Sequence, residues 1–393
     1  MGAPTMPATP PTQVERAMWG VAVQPGKVLI IGGGIAGLTS AIALGKRGFD
    51  VEVIEKDPDW TVYGVGIIQQ SNVVHAVAEL GILDDYLDAG FGYDHVEVYL
   101  PDGRMVAKIP SPKLADGYPA NVGIGRPALH KVLGDRAKAA GAAIRLGVTA
   151  ESLDDDGEGV NATFSDGSSG RYDLVIGADG LYSTTRKALF PDAPSPEPTG
   201  QSVWRYNFDR PDDVVSLQAY EGPTGVGLVP LSERRMYMYV TTPEPAGKRF
   251  EREGLAAAMR ERLAKAPPRI AALAGDITDD AEVVYKPLEW LFVEGDWSKG
   301  RVVLIGDAVH ATTPHLGQGA GMAIEDSLVL AEELAAAETP QAAFAAFEAR
   351  RKDRCRYIVE RSRAICEAQL SKGPPADTAT ESRKMFEVTA QPI

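Results

Sequence analysis

The chain of 393 residues is 44% hydrophobic and carries a formal net charge of -14 at pH 7. It is long enough to bury one large core or two intimate domains, and its negative charge argues against nucleic acid or an anionic membrane surface as partner. No run approaches about 18 consecutive apolar residues and the start lacks a basic, then apolar, leader, so a cytoplasmic protein without a membrane span is expected.

Residues 1–26 contain Pro4, Pro7, Pro10, Pro11 and Pro25 without an apolar period, and read as a flexible extension. The first element with a clear signature is Val28-Leu29-Ile30-Ile31, a buried strand, which runs through Gly32-x-Gly34-x-x-Gly37 into an apolar helix ending near Gly45. In such a strand-turn-helix Gly32 permits the tight turn, Gly34 lets a pyrophosphate approach the backbone, and Gly37 lets helix and strand pack closely. The free N–H groups and positive end of the helix attract the phosphates. Val51 to Glu55 reads as a second strand, with Glu55 at the place where a carboxylate accepts hydrogen bonds from a ribose. The fingerprint alone fits either FAD or a nicotinamide dinucleotide.

Further along, Gly64-Val65-Gly66-Ile67-Ile68 predicts a glycine loop open to a planar ligand, then a helix from Asn72 that stops at Gly81. His75 on that helix reads as a surface or core histidine. His95–Leu100 and Val106–Ile109 alternate as a hairpin around Pro101-Asp102-Gly103. Arg126 stands at the mouth of a helix whose first turn holds Pro127, where a guanidinium would pair with phosphate or flavin oxygens. Short strands follow up to Phe164. The parallel sheet then resumes with the run from Asp173 through Ala178, which leads into Asp179-Gly180 with Ser183 and Arg186 beyond it.

Between 201 and 243 four strand-like runs predict an antiparallel sheet. In the last run Met236, Met238 and Val240 point one way and Tyr237 and Tyr239 the other. By the same alternation either Arg205, or Trp204 with Tyr206, faces any ligand, and the spacing does not say which. Residues 250–265 have helical spacing closed by Pro267 and Pro268. The run from Arg301 to Ile305 is again a buried strand, ending in Gly306-Asp307, and a turn over 312–319 leads to a long helix from about Ala320. A final helix runs from the cap Thr339-Pro340 to about Leu370, with a loosely held tail beyond Gly373. Cys355 and Cys366 on this helix stand roughly 16 Å apart at about 1.5 Å per residue, too far for a disulfide, and read as free thiols.

Three motifs thus stand in order: Gly32-x-Gly34-x-x-Gly37; Asp179-Gly180 with Ser183 and Arg186; and Gly306-Asp307-Ala308-x-His310 followed by Pro314, Gly317-x-Gly319 and Asp326. Together they resemble the class A flavoprotein monooxygenases, the para-hydroxybenzoate hydroxylase family, over residues 27 to about 370. The resemblance implies an α/β fold: a Rossmann-type FAD-binding domain (27–95 with 120–195 and 296–338) interleaved with an antiparallel-sheet substrate domain (96–119 with 196–295), then C-terminal helices (339–373) and a tail (374–393). It implies FAD as cofactor and NADH or NADPH as co-substrate, without a separate nicotinamide domain. Gly32, Gly34, Ile35, Ala36 and Gly37 would cradle the FAD, with Glu55, Lys56, Gly66, Arg126, Asp179, Arg186 and Gly306 around it. Asp307 would hold ribityl hydroxyls, and Gly317, Gly319 and Ala320 would face the pyrimidine edge. The implied reaction is hydroxylation by O2 of a small aromatic or heteroaromatic substrate through a C4a-hydroperoxyflavin, in a monomer or homodimer. Arg205, Tyr206 and Tyr220, with Tyr237 and Tyr239, would handle the substrate from the sheet, and Pro314 and His315 would border the cavity. An epoxidase or reductase of the same fold, or a non-catalytic FAD-binding module, are the rival readings.

Overall fold

The computed structural model describes residues 23–24, 26–221, 225–371 and 378–393, so the expected extension at 1–26 lies almost wholly outside the described residues. In chain order, β1 (Lys27–Ile31), α1 (Ile35–Gly45) and β2 (Asp50–Glu55) form the opening βαβ unit. There follow β3 (Gly66–Gln70), α2 (Ser71–Glu79), α3 (Leu83–Asp88), β4 (Gly90–Tyr93), the hairpin β5 (His95–Tyr99) and β6 (Met105–Pro110), β7 (Asn121–Gly125), α4 (Arg126–Ala139) and β8 (Ala143–Leu146). A small meander, β9 (Ala150–Asp155), β10 (Val160–Phe164) and β11 (Ser169–Tyr172), leads to β12 (Leu174–Gly177) and α5 (Thr184–Leu189). Then come β13 (Glu197–Asp209), β14 (Leu217–Tyr220), β15 (Gly225–Pro230), β16 (Arg235–Pro243), α6 (Leu255–Arg262), α7 (Pro268–Ala274), β17 (Val284–Trp290), β18 (Ser298–Lys299) and β19 (Val302–Leu304). The chain closes with α8 (Asp307–His310), α9 (Gly319–Ala336), α10 (Pro340–Leu370) and α11 (Thr378–Thr389).

Two large sheets organise these elements. The first has strand order β18-β19-β12-β1-β2-β8, with β19, β12, β1, β2 and β8 parallel. Its central strand is apolar on both faces because both are covered: Val28 and Ile30 pack against helices, while Leu29 and Ile31 pack against Val160, Phe164 and Tyr172 of the β9–β11 meander. Helix α1 is buried nearly all round from Gly37 to Leu44, and Thr39 and Ser40 satisfy their hydroxyls on Ser327 of α9 at 2.7 and 3.0 Å. The second sheet has order β17-β13-β16-β15-β14-β5-β6, antiparallel except where β14 meets β5. One face carries Trp204, Tyr206, Phe208, Met236, Met238 and Val240 onto α6 and α7 through Leu255, Met259 and Ile270. Fully burying each of these apolar side chains stabilises by about 1.5–3 kcal/mol. The other face packs against β3 and β7 of a small sheet ordered β3-β7-β4. The approach there is tight: a Cβ on Gly66 would lie 2.2 Å from Leu231, and one on Gly123 2.0 Å from the Pro230 carbonyl oxygen.

Several expectations need correction. The glycine stretch at 64–68 is not all loop, since Gly66–Gln70 pairs with β7 as a strand. Pro268 opens a further helix rather than only ending one, because proline suits a first helical turn. The C-terminal tail is held. Helix α11 buries Met385, and Arg354 donates to the carbonyls of Val388, Thr389 and Gln391. Both cysteines are free and buried. No helix among the described residues is long and apolar enough to cross a membrane.

Candidate active site

The glycine turn forms the floor of the site. Gly32 has φ 113°, and a Cβ there would meet the Ala178 carbonyl oxygen at 2.4 Å; a Cβ on Gly37 would lie 1.9 Å from the Gly32 carbonyl oxygen. Gly34 differs from both, since it is exposed and a Cβ would find nothing within 4 Å. It serves as N-cap of α1, which has no side-chain cap and no acidic residue in its first turn. The N–H groups of Gly34, Ile35 and Ala36 therefore lack acceptors, and an open, uncapped helix start of this kind fits a pyrophosphate. Glu55 stands beside it: its carboxylate accepts the Gly33 N–H at 2.8 Å and the Asp57 N–H at 2.9 Å, which leaves lone pairs for a ribose. Lys56 is exposed.

The wall above the floor comes from β12 and β19. Asp179 spends its carboxylate on the start of α5, accepting from Ser183, Thr184 and Thr185. Arg186 is buried and donates to the carbonyls of Ala308 and Leu181 at 2.7 and 2.9 Å, tying the two strand ends together. Gly306 adopts φ 60°, a conformation that favours glycine. Its N–H donates to Asp326 at 2.9 Å, and His310 Nε2 donates to the same carboxylate oxygen at 2.6 Å. Burial alone would lift the Asp326 carboxyl, but His310 and Arg351 hold it at about 2. The turn so fixed presents Asp307, whose side chain opens to solvent on one edge. Burial on its other sides pushes the Asp307 carboxyl upward, while His310 and Arg126 pull the other way. Gly317, at φ 67°, ends the 3-10 turn Pro314–Leu316, and α9 then starts without a side-chain cap or an acid in its first turn. That second uncapped helix start, including Gly319 and Ala320, suits an electron-rich ring edge. The donor set and the two cradles thus fit a dinucleotide flavin.

The sheet supplies the facing wall. Register pairs Arg205 with Tyr239 and Asn207 with Tyr237, so these four share one face. Asn207 Nδ2 donates to the Gly64 carbonyl, which shows that this face meets the nucleotide-binding half. The Arg205 guanidinium makes no hydrogen bond or ion pair with any described residue. Burial lowers it to about 10, opposed by Tyr237, while the Arg126 charge lowers it further. Arg126 is likewise unpaired; burial lowers it too, and Asp307, Tyr237 and Tyr63 offset part of that. A cation as the first residue of a helix opposes the helix dipole, so Arg126 gains by reaching an outside anion. Burial raises the phenols of Tyr237 and Tyr239 above their ordinary value.

Four expected site residues stand elsewhere. Tyr206 and Tyr220 lie on the opposite face, in the core against α6 and α7, and Tyr220 bonds Gln218 and stacks on Tyr99. His315 turns toward α10: Nδ1 lies 2.9 Å from the Thr313 hydroxyl and Nε2 3.2 Å from Gln369 Oε1. Burial lowers it to about 4, so the ring is neutral with both nitrogens engaged. Gly66 serves the approach of Leu231 and Tyr237 rather than of a ligand. Pro314 is exposed beside the open edge. His75 is a surface histidine paired with Glu79.

A buried relay escaped the sequence reading. Arg351 donates to Asp326 and Glu325 at 2.8 Å each, and Arg354 donates to Glu325 at 2.9 Å. Asn72 links Glu325 to Gln318, the N-cap of α9, at 2.7 and 3.0 Å. Arg351 and Arg354 sit in a charge-rich helical run that reads as solvated, and only their partners on α9 reveal them as interior.

Comparison with known proteins gives consistent matches. Residues 26–362 match the family described as FAD binding domain. The chain is 31% identical over 359 residues to a putative FAD-dependent monooxygenase, YetM, of Bacillus subtilis (strain 168), covering 89% of this chain and 95% of the relative. It is 33% identical over 308 residues to the 2-heptyl-3-hydroxy-4(1H)-quinolone synthase of Pseudomonas aeruginosa, covering 77% and 79%. The crystal structure of Klebsiella pneumoniae HpxO complexed with FAD and uric acid superposes with a TM-score of 0.79 at 27% identity, covering 94% of each chain.

Proposed function

The chain belongs to the FAD binding domain family, and from that premise we propose that it is an NAD(P)H-using, FAD-dependent monooxygenase that hydroxylates a small heteroaromatic ring bound as an anion. The bound FAD supplies hydride acceptance and oxygen activation. Everything else falls to the chain. The N–H groups of Gly34, Ile35 and Ala36 would hold the pyrophosphate, Glu55 the ribose and Asp307 the ribityl chain, and the start of α9 would stabilise charge on the pyrimidine edge.

The observation that carries the substrate class is Arg205, a guanidinium turned toward the cofactor side with no acidic partner. At about 10 it stays protonated at neutral pH, and an unpaired charge in a lowered dielectric gains most from an incoming anion. Among its described residues the same wall offers no base to take a phenol proton. Tyr237 and Tyr239 are raised and stay neutral, so neither offers a phenolate base, and His315 is committed to Thr313 and Gln369. A ring that ionises by itself near neutrality therefore suits this wall better than an ordinary phenol of pKa about 10. Uric acid in the HpxO complex is a ring of this acidic kind.

The test is to offer the wild-type holoenzyme acidic heteroaromatics and neutral phenols of similar size, following NAD(P)H oxidation and 18O transfer from O2. Acidic rings are expected to stimulate oxidation and to gain the label. Stimulation by neutral phenols alone would overturn the substrate class, and stimulation without label would favour a reductase.

A further inference from the structure

Trp60 is the one non-glycine residue among the described residues with positive φ, at 50°. A left-handed backbone is disfavoured for a large side chain, and an outlier of this kind points to a compensating task. The indole meets the glycine turn. Its Nε1 donates to the Gly33 carbonyl at 2.9 Å, its far edge packs on Gly134 of α4, and His130 stands edge-on at 4.7 Å. His130 Nε2 reaches the same Gly33 carbonyl at 3.0 Å, and so donates to it as well. Gly33 N–H is held from the other side by Glu55.

Two donors on one carbonyl fix the whole Gly33–Gly34 peptide. The unit is planar and trans, so its N–H, which belongs to Gly34, points opposite to the clamped oxygen. The Gly34 N–H has no acceptor among the described residues, and a Cβ on Gly34 would find nothing within 4 Å. Three consecutive glycines, Gly32 to Gly34, have wide rotational freedom. A flipped peptide would aim a carbonyl oxygen, rather than an N–H, at an incoming phosphate.

We propose that Trp60 and His130 form a lock on the Gly33–Gly34 peptide that keeps the Gly34 N–H aimed at the cofactor pyrophosphate, so both are positioning residues for FAD. The inference rests on the FAD-binding reading above. Neither residue belongs to the glycine motif, and both reach it from outside, Trp60 from the loop after β2 and His130 from α4.

The experiment uses apoprotein freed of FAD, titrated with FAD by flavin fluorescence and with ADP, which carries the adenosine and pyrophosphate of FAD without its flavin, as competitor. Trp60→Phe keeps a ring and the same backbone preference but removes the donor; His130→Phe removes the second donor on an ordinary helix. Each variant is expected to bind FAD and ADP about five- to tenfold more weakly, and the double variant more weakly than either, with apoprotein melting temperatures near wild type. Wild-type affinity in both single variants would overturn the lock. So would an affinity loss that only follows a lowered melting temperature of the apoprotein, since that marks a purely structural role. Wild-type protein that takes up no FAD would instead sink the cofactor reading, and the lock with it.

Discussion

On the nucleotide side of the proposed site the atoms offered to the cofactor belong to the backbone: the N–H groups after Gly34, the turn at Gly306 and the start of α9. On the sheet side they belong to side chains, Arg205, Tyr237 and Tyr239, whose common direction is fixed by pairing between β13 and β16. The contrast has a physical basis. Pyrophosphate and a flavin edge are the same in every turnover, so a rigid, glycine-shaped backbone suits them. A substrate is matched by charge and shape, which a strand face can vary residue by residue without disturbing the fold. A site written in backbone should fail when a Cβ is added, whereas a site written on one strand face should ignore changes on the other.

The largest effect is expected at Gly37. Any Cβ there would lie 1.9 Å from the Gly32 carbonyl oxygen, so Gly37→Val should weaken FAD binding by roughly 100-fold or more, read as flavin content after purification together with a thermal melt. A yellow, normally stable variant would break the claim that this side depends on close backbone approach. Next is Asp307→Ala, which removes charge-assisted hydrogen bonds worth about 1.5–3 kcal/mol. FAD affinity should fall roughly 10- to 100-fold while circular dichroism stays native, and an unchanged dissociation constant would take Asp307 out of the site.

These differences also explain what could be read from residues alone. The backbone side is local: Gly32, Gly34 and Gly37 lie in one short run, Glu55 ends the next strand, and Gly306-Asp307 ends another, so strand and turn chemistry placed them. The sheet side is not local. Alternation shows that Arg205 and Tyr206 point apart, but both faces of this sheet are covered by protein, and burial alone cannot choose between them. The choice was made by long-range contacts, Asn207 on Gly64 and Gly66 against Tyr237. His315, expected beside the cavity, turns toward α10 for a similar reason, since its direction is set by Gln369, far along the chain. Arg354, which secures the C-terminal segment and the Glu325 relay, depends on partners in two other helices.

The smallest effect sharpens the comparison from the other side. Tyr206→Phe removes a hydroxyl from the core face of β13, so substrate affinity and substrate-stimulated NAD(P)H oxidation should stay within about twofold of wild type. A large loss there would mean that the sheet presents its other face to the substrate.

Arg205→Met tests the central claim most directly. Methionine keeps an unbranched, mostly apolar stem and removes only the charged fork, so FAD content should match wild type. The dissociation constant of an acidic heteroaromatic, measured by perturbation of the flavin spectrum, should rise at least about tenfold, equivalent to ~1.4 kcal/mol. Unchanged substrate affinity in a variant that still carries its full complement of FAD would contradict the assignment of Arg205 as the anion-binding group of this site.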